Sequence, residues 1–139
     1  LKDNKGRKFI LRGKIDAYIY HGGFFSIIDF KVTNIDEKKI EVYKTQLLSY
    51  AIMFEKPNEE YLKLTPIKNL GIFCFEPEKI QSVDKNPSFN MKTQYYPIQR
   101  DDDYLFKFIT EILDFLEGPK PNFDEKCGLC NLKKNNFSS

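Results

Sequence analysis

Residues 8–33 carry the pattern that most restricts the fold, because two alternating stretches flank the dipeptide Gly22-Gly23. Alternation of apolar and polar side chains is typical of a strand with one buried face, which predicts strands at 8–20 and 24–33. Two glycines can adopt the positive φ angles of a two-residue hairpin turn. The sequence therefore predicts a β-hairpin. The apolar face of its first strand would consist of Phe9, Leu11, Ile15, Ala17 and Ile19.

Beyond the hairpin, the hydrophobic period changes to that of a helix and then returns to that of strands. The predicted elements are a helix at 39–55, strands at 70–76 and 93–98, and a helix that begins at 101–103 and ends at Gly118-Pro119, with loops at 56–69 and 77–92. Pro97 suggests that the last strand lies at a sheet edge. The side chains that the second helix would bury are Leu105, Phe108, Ile109, Ile112, Leu113 and Leu116. This order predicts an α/β fold with a central mixed sheet flanked by helices.

The composition fits one folded domain, since 41% of the 139 residues are hydrophobic and 15% are aromatic. No apolar run approaches the roughly 20 residues that cross a bilayer. The net charge of +2 means that any basic surface for nucleic acid must be local. Three cysteines are too few for a secreted disulfide framework, which favours a reducing, cytoplasmic setting.

The predicted hairpin register places Asp16 opposite Asp29 and Lys14 opposite Lys31, all on one face. Two neighbouring carboxylates resist joint ionisation unless a cation lies between them. A divalent cation such as Mg²⁺ suits such a pair, and with Lys31 beside it the site could hydrolyse a phosphodiester. The four charges could instead form a solvated checkerboard of weak ion pairs, although Phe25 on the same face indicates partial cover.

Three motifs resemble those of a known family: "GKID" at 13–16, "DFK" at 29–31 and "QLLSY" at 46–50. They match the patterns G-x-x-D, D-x-K and Q-x-x-x-Y of RecB-like exonucleases in the PD-(D/E)XK nuclease superfamily. CRISPR-associated and helicase-linked nuclease domains belong to the same branch. The similarity runs from about Arg7 to about Leu132.

The resemblance implies a restriction-endonuclease-like core that cleaves DNA with Mg²⁺ or Mn²⁺, in recombination, repair or phage settings and with a possible helicase or recombination partner. It implies that Asp16, Asp29 and the carbonyl of Phe30 bind the metal, and that Lys31 is catalytic. Many relatives carry a His- or Glu-bearing helix before the first strand. This chain begins at Leu1, so we expect a core that lacks its first helix and a protein with further upstream sequence.

The helix motif falls on Gln46 and Tyr50, which the resemblance places in the catalytic site. These residues are i,i+4 neighbours and can present an amide and a phenol to one spot. Tyr50 could also be a core aromatic residue and Gln46 a surface residue, and both descriptions can hold for Tyr50 if its ring packs while its hydroxyl bonds.

Cys127 and Cys130 form half of a metal-binding pattern in a tail at 119–139, which follows a nuclease-like domain at 1–118. The tail resembles the iron–sulfur region of some RecB-like nucleases. A cluster needs four thiolates, and the remaining cysteine, Cys74, lies in a predicted buried strand where packing is the simpler role. A complete cluster is therefore not supported by this chain alone.

Other chemical features have plainer explanations. His21 belongs to the hairpin turn, and the acidic run 101–103 suits a helix N-terminus better than a second metal site. Basic residues near the hairpin and the first helix could contact DNA phosphates. Two further function classes stay open, namely a catalytically silent relative that binds DNA or a protein partner, and a small redox or zinc module built on the cysteine pair.

Overall fold

The computed structural model describes residues 1–33, 37–83, 86–120, 122, 126 and 127. The elements are β1 (Ala17–His21), β2 (Phe24–Val32), α1 (Glu37–Glu55), β3 (Ile67–Val83), β4 (Asn86–Ile98) and α2 (Asp102–Glu117). The strands form one sheet in the order β1-β2-β3-β4, in which β2 and β3 run parallel and the other pairs antiparallel. Helix α1 supplies the crossover that a parallel pair requires. The predicted α/β fold with a mixed sheet is confirmed.

The hairpin has the predicted turn and register, but its first strand is shorter than expected. Gly22 and Gly23 have φ angles of 60° and 83°, and Ala17 pairs with Ile28. Residues 8–16 form no strand of this sheet, although Phe9, Leu11 and Ile15 pack against the core as predicted. In this segment the alternation of apolar residues indicates which side chains face the core, and it does not indicate backbone pairing.

The predicted buried face of β1 is wrong at Ile19, which is 51% exposed. Ile19 pairs with Ser26, on the sheet face opposite the one that carries Ile27 and Asp29. Helix α1 packs on the Ile27 side, as its contacts with Asp29 show. The first strand therefore alternates as predicted, but its odd-numbered residues do not face the helix.

The strands β3 and β4 extend well beyond the predicted 70–76 and 93–98, so most of the predicted loop at 77–92 is strand. The backbone pairing continues from Leu70 with Ile98 to Val83 with Asn86. Alternation of apolar and polar residues indicates a strand with one buried face. It cannot indicate a strand that pairs with its neighbour but buries neither face. The prediction that the last strand lies at a sheet edge is confirmed.

The core lies between the sheet and α1, and α2 packs against α1. Its fully buried side chains include Ile27, Leu47, Leu48, Ile72 and Leu105. Asp101 caps α2 by accepting a hydrogen bond from the Tyr104 N–H at 2.9 Å, as the acidic run predicted. Of the side chains predicted to be buried in α2, Leu105 and Ile109 are buried, whereas Ile112 and Leu116 are exposed because the core meets the first half of the helix.

Within the described residues, neither helix is long and apolar enough to cross a membrane.

Candidate active site

Asp29 is a carboxylate buried within the sheet, with 2% of its surface exposed. It lies on the face of β2 that also carries Ile27, and α1 covers this face. Lys31 lies two residues later on the same face, and its Nζ is 2.5 Å from Asp29 Oδ2. Oδ2 is buried and has the Lys31 ammonium as its ion-pair partner, and a carboxylate oxygen has a second lone pair with which it can bind a further cation.

The surroundings of Asp29 disfavour its charged form. Burial raises the pKa of this carboxyl, and the neighbouring negative charge of Asp16 raises it further, while Lys31 acts in the opposite direction. The pKa remains above its ordinary value, so the single ammonium of Lys31 does not offset the cost of burial. A second cation beside Asp29 would stabilise its ionised form.

Asp16 reaches this place from the residue before β1. Its Oδ2 accepts a hydrogen bond from the Phe30 N–H at 2.9 Å. That N–H points toward the side of β2 where β1 lies, and it is open to Asp16 because the β1 pairing ends at Ala17. The N–H and C=O of one strand residue point to the same side, so the Phe30 carbonyl is directed toward the same edge. The Phe30 ring lies on the opposite sheet face.

Gln46 connects the helix to both charged residues of the D-x-K motif. Its Nε2 donates to Tyr50 Oη at 2.7 Å and, more weakly, to Asp29 Oδ1 at 3.4 Å. Its Oε1 accepts from Lys31 Nζ at 3.3 Å. Tyr50 also packs against the core through its ring, while its hydroxyl contacts Gln46.

Two contacts of the site were not predicted. The Tyr43 ring lies below the Lys31 ammonium, 4.8 Å from Nζ to the ring centroid. Tyr43 precedes Gln46 by one helical turn, and this spacing could have indicated that it shares the same face. A Cβ at Gly13 would lie 2.7 Å from Cε1 of Tyr50, so the glycine lets the N-terminal segment cross that ring closely.

Lys14 does not take the position predicted for it. It lies outside β1 and is exposed, so the alternative of a checkerboard of four paired charges is not formed. The charged side chains at the candidate site are therefore those of the two aspartates and Lys31. His21 is the last residue of β1 and lies beside the turn, as expected.

The cysteines form no site in the described part of the chain. Cys74 is fully buried, next to Lys31 in the register of β2 and β3, and burial raises the pKa of its thiol. Cys127 is half-buried, while Cys130 lies outside the described residues. Among the described residues, no group of three or more His, Cys, Asp and Glu side chains could hold a metal.

The residues around Asp29 nevertheless fit a divalent cation that prefers oxygen. Asp16 lies close enough to Asp29 to raise its pKa, and it accepts a hydrogen bond from the N–H of Phe30, whose carbonyl is directed toward the same edge. Mg²⁺ uses one or two carboxylates and completes its shell with water and substrate oxygens, so it does not need three acidic side chains. The donor set excludes a soft, thiolate-based metal at this place.

A family model described as the PD-(D/E)XK nuclease superfamily matches residues 3–134. The matched range contains all three motifs and most of the chain. No curated protein and no solved structure matches this sequence. The model does not specify a branch, so the RecB-like assignment stays a prediction. The chain belongs to the PD-(D/E)XK nuclease superfamily.

Proposed function

We propose that this chain is a Mg²⁺- or Mn²⁺-dependent nuclease that hydrolyses DNA phosphodiester bonds, with the exonuclease-like action that its motifs suggest. The observation that supports it best is the buried Asp29 carboxylate, whose pKa is raised by burial and which has Asp16 and Lys31 as neighbours. A carboxylate held so deeply is unfavourable for folding alone, which argues for a role with a cation.

In this proposal, Asp16, Asp29 and the Phe30 carbonyl hold the metal. A bound divalent metal would polarise the phosphoryl oxygen and lower the pKa of a water molecule. Lys31 would face the phosphate and offset the negative charge that develops there. Gln46 holds Lys31 and Asp29 in position through its amide, and Tyr50 orients that amide.

The replacement Asp29→Ala tests the assignment. We expect it to lower Mn²⁺-dependent cleavage of linear DNA by about a hundredfold or more, since metal-based stabilisation of a transition state amounts to several kcal/mol. Asp103→Ala is the matched control, because Asp103 is an exposed carboxylate in the first turn of α2. Cleavage by Asp29→Ala at the wild-type rate would refute the proposal.

A catalytically silent family member is the second candidate, and the Lys31–Asp29 ion pair favours it. An ammonium so close to the carboxylate can neutralise its negative charge in a site that binds no metal. Calorimetric titration with Mn²⁺ separates the two. Saturable binding that Asp16→Asn removes supports the nuclease, whereas no heat at millimolar Mn²⁺ supports the silent protein as a binder of DNA or of a protein partner.

Other assignments stay predictions. They are the division into a domain at 1–118 and a tail at 119–139, the cytoplasmic setting, a role in recombination, repair or phage biology, and a helicase partner. An iron–sulfur centre that uses Cys127 and Cys130 would give visible absorbance after anaerobic purification, and colourless protein would argue against it.

A further inference from the structure

Two exposed tyrosines line the edge of the sheet next to the candidate active site. Tyr18 is 47% exposed and Tyr20 is 63% exposed. They pair with Ile27 and Phe25, so both rings lie on the sheet face that carries Asp29. Strand β1 is the outer strand of the sheet, and its far side pairs with no described strand. The rings are therefore accessible from solvent along the edge that leads to Asp29.

Phe25 supports both rings. Its ring centroid lies 6.0 Å from that of Tyr18 in an edge-to-face arrangement and 4.9 Å from that of Tyr20 in a tilted one. Such contacts restrict the two tyrosine side chains while their outer surfaces stay open. A surface of restrained, half-exposed rings loses little side-chain entropy when a flat partner stacks on it.

Between Asp16 and Asp29 the hairpin carries no acidic side chain that would repel a polyanion, although the chain has 20 acidic residues in 139. His21 lies at the end of β1, and Arg12 and Lys14 are exposed on the segment that precedes it. A phosphate backbone that follows this edge would meet no carboxylate until it reaches the candidate metal site.

The spacing suits an unstacked strand. Alternate residues of a β-strand are ~6.7 Å apart. The distance along the strand is therefore the same from Tyr20 to Tyr18 as from Tyr18 to the position opposite Asp29. This is about twice the 3.4 Å rise per nucleotide in a stacked duplex strand. Bases that are separated from one another could each occupy one ring, as on the aromatic platforms of proteins that bind single strands.

From this arrangement we infer that Tyr18 and Tyr20 form a stacking track for single-stranded DNA that guides the strand toward Asp29. The inference rests on the proposed function for its purpose, but the binding itself does not require cleavage. A protein segment that adds a strand to the free edge of β1 is the competing occupant, and it would use backbone groups in place of the rings.

The test is binding of a fluorescent oligo(dT) by anisotropy in EDTA, with a blunt duplex of equal length for comparison. Tyr18→Leu and Tyr20→Leu remove the rings and keep apolar bulk against Phe25, whereas the matching Phe variants keep the rings. Tyr61→Leu is the control, since Tyr61 is 70% exposed and lies in the loop before β3. Thermal melting of each variant checks that it folds.

We expect each Leu variant to raise the Kd for oligo(dT) about tenfold, with the Phe variants and Tyr61→Leu close to wild type. Three results would each overturn the proposed stacking track. They are equal affinity of all variants for oligo(dT), no measurable binding by the wild type, and an equal loss of affinity for the blunt duplex. If the wild type binds oligo(dT) through these rings but cleaves no DNA with Mn²⁺, the track stands and the proposed nuclease activity fails.

Discussion

A carboxylate with 2% of its surface exposed is costly to keep ionised, and Asp29 shows how one residue can link stability to function. The folded-state pKa of Asp29 is raised above its ordinary value of 3.8, first by burial. Its contribution to stability is therefore fully present below that value and is lost as pH rises through the folded-state pKa. Above the folded-state pKa of Asp29, the metal-free protein carries the cost of the buried charge.

Asp29→Asn removes this titration, so we expect the variant to gain thermal stability relative to wild type in EDTA as pH rises from 4 to 7. Adding Mn²⁺ should reverse the order, because the cation binds and stabilises only the wild type. Melting temperatures across pH, with and without Mn²⁺, measure both effects. A difference between the two proteins that is constant with pH would contradict the pKa argument.

The Tyr43 ring holds the Lys31 ammonium by a cation–π contact, which is worth up to about 2 kcal/mol when partly desolvated. We expect Tyr43→Leu to lower the rate of DNA cleavage several-fold with little change in KM, because the lysine loses its support and the substrate contacts remain. Tyr43→Phe keeps the ring and should match the wild type. Equal kcat in the Leu and Phe variants would show that the ring only packs.

At the scale of elements, Arg100 connects three of them. Its guanidinium contacts Glu55 at the end of α1 at 2.6 Å, Asp102 at the start of α2 at 2.8 Å and the Ile67 carbonyl at the start of β3 at 2.7 Å. Arg100 lowers the pKa of both carboxyls. Depressed acid pKa values give stability that is present above the ordinary values and lost as pH falls through the folded-state values.

We therefore expect Arg100→Met to lower the free energy of unfolding by about 2 kcal/mol at pH 7. The deficit should shrink as pH falls below the ordinary values of 4.5 and 3.8, and it should vanish once pH passes the depressed pKa values at which Glu55 and Asp102 lose their charge in the wild type. Lys107→Met, on the exposed side of α2, is the control and should change little. Urea titrations at several pH values measure this, and a deficit of equal size in acid would contradict the electrostatic explanation.

At the scale of the whole molecule, α1 packs on one face of the sheet and α2 packs on α1. On the other face the rings of Phe30, Phe73 and Phe75 contact one another, and Val32 beside them is 70% exposed. No helix among the described residues covers these side chains. Exposed apolar surface of this kind favours association.

We expect Val32→Lys to reduce concentration-dependent light scattering, because a lysine on this open sheet face opposes the approach of apolar surfaces and of other strands. Val42→Lys is matched in chemistry and exposure, since Val42 is 71% exposed on α1. Equal effects of the two substitutions would mean that net charge, and not the open sheet face, controls association.

The parts of this fold that local rules determine were predictable. A two-residue turn fixes the hairpin register, and the register brings Asp16 near Asp29. The burial of Asp29 was not predictable, because it depends on where α1 settles after a crossover. Ile19 was placed on the wrong side for the same reason, and the contacts of Tyr43 and Gly13 join residues far apart in sequence.

The two aspartates differ in how firmly the fold holds them. Asp29 is fixed within a central strand beneath a helix, while Asp16 is exposed, stands outside the ladder and accepts a hydrogen bond from the Phe30 N–H. In the proposed metal site, Asp29 would be the fixed ligand and Asp16 the movable one. A movable ligand outside the ladder would let a cation held by this pair adjust to a substrate with no rearrangement of the sheet.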